Sequence, residues 1–189
     1  MFVGGSGWDD PGMDIRPATV ADAPAIAEVH VLSWQSGYRG LLPQEMLDGL
    51  DVAQRVERWT RTIAAGALPR DGTLVAERDG ALLAFANLGP TRDDDRDPDR
   101  TGQIRSFYVR PDAWRGGIGQ RLMSEVLRSL AAAGFRTASL WVLEGNHRAA
   151  RFYSACGFTP DGAVKDDHLA GVDIRIVRYC RDLRCGAGT

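Results

Sequence analysis

The stretch from Gln103 to Phe158 restricts the folds open to this chain more than any other. Ile104 to Val109 is rich in β-forming residues, and Pro111 closes it. Trp114-Arg115-Gly116-Gly117-Ile118-Gly119 follows, and Ile118, Leu122, Val126 and Leu130 then recur at every fourth position, the spacing of one helix face. Gly134 supplies the stop for that helix, and Thr137 to Leu143 reads as the next strand. A strand, glycine turn, helix and strand in that order predict a parallel pair with a right-handed crossover. The glycines thus lie where a strand feeds a helix N-terminus. Unpaired backbone N–H groups and a partial positive charge collect there, and glycine lets phosphate oxygens approach the backbone closely. The expected ligand is an anion such as a pyrophosphate.

Two common phosphate-binding motifs do not account for this loop. A Walker loop ends in Gly-Lys-Ser/Thr, whereas Gly119 is followed by Gln120 and Arg121. A dinucleotide fingerprint would place a small residue where Leu122 stands and would open its domain, and here several elements come first. Asp14 to Arg16 is a short extended piece, after which Thr19 and Asp22 offer caps for a helix to about Ser36, with Pro24 in its first turn. Gly37 to Gly49 reads as a loop or broken helix. A second helix spans Val52 to Ala65, with Val52, Val56, Trp59 and Ile63 as its apolar stripe. Thr73 to Glu77 and Leu82 to Leu88 flank Asp79-Gly80 as a hairpin.

The acidic run Thr91 to Gly102 fails as a calcium loop, because Pro98 replaces the required glycine and Ile104 the closing glutamate. It is expected to be a solvated hairpin loop. Near the end, Val172 to Val177 should be a closing strand, preceded by a loop around Asp166 to Gly171.

With 189 residues the chain fits one domain, taken as residues 13–183 between a flexible leader, 1–12, and a tail, 184–189. A net charge of -2 argues against nucleic-acid or membrane-surface partners and favours a small-molecule or protein substrate. Cys156, Cys180 and Cys185 form no Cys-x-x-Cys pair, no apolar run is long enough for a bilayer, and Met1 to Gly12 lacks signal-peptide character. A reducing, cytoplasmic setting is expected, and the scattered cysteines and histidines offer no metal set.

Phe107-Tyr108-Val109-x-Pro111, Arg115-Gly116-Gly117-Ile118-Gly119, Asn146 and Phe152-Tyr153-x-x-x-Gly157-Phe158 resemble the GCN5-related N-acetyltransferase (GNAT) superfamily. Weaker similarity runs from Ile15-Arg16-Pro17-Ala18 to Arg178-Tyr179. One departure is that Trp114 stands where the motif has Arg or Gln, which leaves Arg115 as the candidate for that phosphate contact. The resemblance implies an α+β fold with a mostly antiparallel sheet, one parallel splayed strand pair and helices on both faces. It also implies acetyl-CoA as cosubstrate, no metal, and transfer of acetyl to an amine.

On this resemblance the backbone of Phe107, Tyr108 and Val109 would pair with the pantetheine arm, and an N–H there would bind the acetyl carbonyl. Arg115, Gly116, Gly117, Ile118, Gly119 and Gln120 would hold the diphosphate. Asn146 and Tyr153 lie seven residues apart, about two helical turns, so both can face one ligand. Tyr153 suits a general acid, because a phenol of pKa about 10 stays protonated beside a leaving thiolate whose conjugate acid lies near about 8.5. The strand position where the family often has a glutamate base is Gln103, which leaves Glu144, His147 or water.

Trp34 and Tyr38, at the end of the first helix, are the acceptor-site candidates, with Arg39 beside them. The acceptor would be an amine-bearing small molecule or a protein N-terminus, and a homodimer is left open. A non-catalytic acyl-CoA-binding or sensing module is the alternative, since it would keep the loop and strand but need no acid or base.

Overall fold

The structure is a computed structural model that describes residues 12–169 and 171–184. Apart from Gly12 and Arg184, the expected leader and tail lie outside the described residues, as does Cys185. Seven strands form one sheet: β1 (Met13–Pro17), β2 (Gly72–Arg78), β3 (Ala81–Pro90), β4 (Thr101–Val109), β5 (Thr137–Leu143), β6 (Thr159–Leu169) and β7 (Val172–Asp182), in the spatial order β1-β2-β3-β4-β5-β7-β6. Helices α1 (Ala23–Gly37), α2 (Gln44–Asp48) and α3 (Val52–Ala65) connect β1 to β2, α4 (Ile118–Ala132) joins β4 to β5, and α5 (His147–Ala155) follows β5. None of the described helices is long and apolar enough to cross a membrane.

Local chemistry explains most of the boundaries. Pro24 occupies the first turn of α1, where its missing N–H is harmless, and the Asp51 side chain caps α3 by accepting from the Ala53 N–H at 2.7 Å. Asp79 and Gly80 both adopt positive φ, 52° and 77°, as a two-residue hairpin turn between twisted strands requires. The α3 stripe is shorter than its spacing implies: Trp59 and Ile63 are buried, whereas Val52 in the first turn overhangs the core and stays exposed.

Strand alternation divides the core between the two faces of the sheet. Leu74, Ala76, Ala86 and Ile104 pack under α4 with Ile118, Leu122, Val126 and Leu130, and Ala149, Phe152 and Tyr153 of α5 lean on the same cluster. Val75 and Phe85, one residue out of phase, pack with Ile26 and Val29 of α1 and Trp59 and Ile63 of α3 on the other face. A third cluster, built on Trp34, Leu42 and Leu47, gathers Tyr38, Leu143 and Ile174, so the α1–α2 connection closes over the ends of β5 and β7.

The parallel β4–β5 pair is short. It holds only through Thr101↔Thr137, Gly102↔Ala138 and Gln103↔Ser139, while β4 stays paired with β3 as far as Val109↔Ala84 and β5 with β7 as far as Leu143↔Ile176. Beyond Gln103 the facing backbones of β4 and β5 therefore diverge. A β-bulge stands at that point, where Arg105 is the extra residue between Ile104↔Leu88 and Ser106↔Asn87. A bulge bends its strand and strengthens the local twist, and this one is fixed by Arg105 donating to Asp71 and to the Pro90 carbonyl, each at 3.0 Å.

Two sequence expectations need correction. Asp166 to Gly171 is not a loop: Thr159–Leu169 is a strand, paired from Asp166↔Arg175 to Leu169↔Val172, and Gly171 turns the chain with φ of 87°. It lies on the sheet edge, where charged residues such as Lys165, Asp166 and Asp167 blunt an open strand and erase the alternation that would mark it. The acidic run is only partly solvated. Asp93, its side chain 6 % exposed, accepts from Trp141 Nε1 at 3.0 Å and joins Asp95 and Asp161 around the guanidinium of Arg178.

Candidate active site

A cleft of about 690 Å³ opens where β4 and β5 diverge. Phe107, Tyr108 and Val109 form its β4 wall, Arg115, Gly117, Gly119 and Gln120 its loop end, and Asn146 and Tyr153 its α5 side, with Tyr38 reaching in from α1. Of the other residues picked out from the sequence, Gly116 lies in the loop outside this lining. Ile118 is buried beneath α4, and Trp34 is packed behind Tyr38 with their rings 5.1 Å apart. Arg39, Glu144 and His147 are also outside the lining.

The loop has the form its glycines demand. Gly117 is the residue before α4 and takes the left-handed conformation, φ 77°, and with Gly119 and Gln120 it brings the start of the helix, whose first amides have no partner within the helix, to the cleft. At Gly119 an added Cβ would stand 3.2 Å from the Phe152 ring, so glycine there lets α4 start against α5. Arg115 is left-handed too, φ 67°, an uncommon conformation for a residue with a side chain. Trp114 turns its indole inward. Its Nε1 donates to the Val109 carbonyl at 2.7 Å, and Ser33 Oγ donates to the same oxygen at 3.1 Å.

Asn146 ends the β5–α5 turn and caps the helix, its side chain accepting from the Ala149 N–H at 3.1 Å. Tyr153 sits two turns on, its ring edge-on to Phe107 and Phe158 at 6.3 and 6.1 Å. Burial pushes its hydroxyl pKa well above the ordinary tyrosine value, so the group holds its proton across the physiological range. The same cause raises Tyr38 and Tyr108. The cleft thus places a phenolic donor beside a divergent strand backbone and opposite a loop suited to anions.

No carboxylate lines the cleft among the described residues. Gln103 is buried in the still-paired part of β4. Glu144 is exposed, with its carboxylate 3.9 Å from Arg175, and His147 is exposed at the start of α5. Residues that sequence reasoning passed over also line the site: Ser33 and Gly37 on α1, and Arg148 and Arg151 on α5. The signal for Arg148 was the unusual Trp114, because the guanidinium carbon lies 3.7 Å above that indole ring. No group of histidine, cysteine, aspartate or glutamate suited to a metal ion occurs among the described residues.

Divergent central strands, a glycine loop feeding α4 and a capped α5 define a class of α+β protein with a sheet split open beside a helix N-terminus. Comparison with known proteins gives the class its family. Residues 25–158 match the sequence model of the Acetyltransferase (GNAT) family. A probable N-acetyltransferase of Mycobacterium tuberculosis is 32% identical over 87% of this chain and 91% of its own length. An uncharacterized N-acetyltransferase of Bacillus subtilis is 27% identical over 86% and 89%. Among solved structures, YncA from Salmonella typhimurium with its cofactor acetyl-CoA superposes with a TM-score of 0.67 at 22% identity, covering 94% of this chain and 97% of that one. The chain belongs to the acetyltransferase (GNAT) family.

Proposed function

We propose that this chain transfers the acetyl group of acetyl-CoA to an amine by direct attack, with Tyr153 supplying a proton to the departing thiolate. The observation that carries the proposal is the place of Tyr153, which lines the same cleft as the reach of β4 that has left β5 and as the glycine loop. The cleft fits the cosubstrate on its own chemistry. The open amides before α4 and the guanidiniums of Arg115 and Arg151 suit phosphates, and the gap between β4 and β5 suits an extended amide-bearing arm. A backbone N–H of the Phe107–Val109 segment would hold the acetyl oxygen as it gains charge.

In the reaction a neutral amine nitrogen forms a bond to the acetyl carbon, the C–S bond breaks, and the sulfur takes the Tyr153 proton. The nitrogen's surplus proton passes to water and the phenolate is reprotonated from solvent. With no carboxylate in the described lining, the amine must arrive neutral or lose its proton to water. Freeing a lysine-like amine at pH 7 costs about 4.6 kcal/mol, an α-amine of pKa about 7.8 only about 1 kcal/mol. The site therefore favours weakly basic amines in a small molecule or at a protein N-terminus.

The same missing base supports a second reading, an acyl-CoA-binding module without turnover. Thiol release from acetyl-CoA across an acceptor panel, paired with thermal shifts, separates the two. Acetyl-CoA should raise the melting temperature where ATP and NAD do not, because a ligand bound only by the folded state stabilises it, and at least one weakly basic amine should release thiol. A shift with no release from any acceptor would leave only the binding module.

A further inference from the structure

Arg148 links the two faces of the sheet across the divergence of β4 and β5. It begins on α5, which packs on the α4 side, and its guanidinium carbon lies over the Trp114 ring, 3.7 Å from the centroid. Its Nη2 comes so close to Gly37, at the end of α1 on the opposite face, that a Cβ there would stand 2.8 Å away. Tyr38, the next residue, is the charged or titratable neighbour that Arg148 feels. No carboxylate pairs with Arg148 among the described residues. A guanidinium held over an indole face keeps its N–H donors available to a ligand.

Charge balance narrows what that fork can meet. The cleft carries Arg115, Arg148 and Arg151 and no aspartate or glutamate among the described residues. Arg115 belongs to the loop beside the α4 amides, where phosphates are placed, and Arg151 sits one turn further along α5. Arg148 is the one set also against the end of α1 and Tyr38, the residue named above as an acceptor-site candidate. A polycationic amine would find no counter-charge there. We propose that Arg148, presented by Trp114, determines acceptor specificity by binding a carboxylate, so that the substrate is an amine bearing an acid group, of amino-acid type. This rests on the acetyl-transfer reading above.

The test compares L-amino acids with their carboxamides as acceptors, by thiol release from acetyl-CoA, in the wild-type protein and in Arg148→Met and Trp114→Ala. A carboxamide's amine is the less basic of the two, so chemistry alone favours it, and any preference for the acid reports recognition. The wild type should favour acids by about 10-fold or more in kcat/KM, and Arg148→Met should erase that ratio by raising KM for the acid about 10-fold with KM for acetyl-CoA within about twofold. Trp114→Ala should weaken the same ratio in the same direction.

A rise in KM for acetyl-CoA with the acid-to-amide ratio intact would assign Arg148 to the cosubstrate and overturn the proposal. Equal use of carboxamides or polyamines by the wild type would do the same. Calorimetric titration of N-acetyl amino acids and their amides into CoA-saturated protein reads the carboxylate without turnover. Binding of the acid alone, lost in Arg148→Met, upholds carboxylate recognition even if acetyl transfer fails, and binding of neither or both equally overturns it.

Discussion

His30 accepts a hydrogen bond at Nδ1 from Trp59 Nε1, 3.0 Å away, which places its own proton on Nε2. The ring is 4 % exposed and stacks on Tyr108 with centroids 5.0 Å apart. Burial first, and then the charges of Arg55 and Arg58, lower its pKa from 6.5 to about 3. The folded protein thus refuses a proton that the unfolded chain accepts below pH 6.5. The stability this confers is complete above that pH and drains away as pH falls toward 3, by about 1.4 kcal/mol per pH unit. Urea unfolding at pH 7 and pH 5 should show the wild type losing about 2 kcal/mol more than His30→Gln, and parallel losses would refute the burial argument. In the sequence His30 is one of the scattered histidines that offer no metal set. A helix position says that a histidine can be buried, but only packing from Trp59, Phe85 and Tyr108 decides its charge.

Elements were legible in the sequence where local chemistry and burial agree. The α3 span followed from its apolar stripe, the β5 span from the apolar run after Gly134, and the loop before α4 from its glycines. Gly117→Ala should cost about 1–2 kcal/mol of stability, because the φ of 77° at that position is strained for any residue with a Cβ. It should also weaken CoA binding in a calorimetric titration, since the added methyl borders the helix amides. An unchanged denaturation midpoint would mean that the loop relaxes into another conformation. Edge strand β6 was missed because its exposed, charged faces carry no alternation. The β4 bulge was missed because Arg105 is bound by Asp71, far away in sequence. Divergence of β4 from β5 came from resemblance rather than periodicity, since a residue pattern reports burial and not which neighbour a strand keeps.

The whole molecule is two helical layers meeting through one opening in the sheet, and the closed end of that sheet is fastened by charge. Arg178 on β7, its side chain 3 % exposed, donates to Asp161 at 2.8 Å and to Asp95 at 2.7 Å and lies 3.3 Å from Asp93, tying the β3–β4 connection to the β6–β7 hairpin. Removing one member of such a set leaves buried charge unpaired. Arg178→Ala should destabilise the protein by about 3 kcal/mol in urea unfolding, and a loss below about 1 kcal/mol would show the carboxylates to be solvated instead. The long reach of this set, from residue 93 to residue 178, explains why the acidic run looked like a free loop in sequence. Against that fixed frame the open end holds Tyr153, and everything proposed for catalysis converges on its hydroxyl. The direct measurement is kcat for thiol release in Tyr153→Phe against wild type, at saturating acetyl-CoA and the best acceptor. The account predicts a fall of about 100-fold or more with the acetyl-CoA affinity kept. An unchanged kcat would contradict Tyr153 as the proton donor.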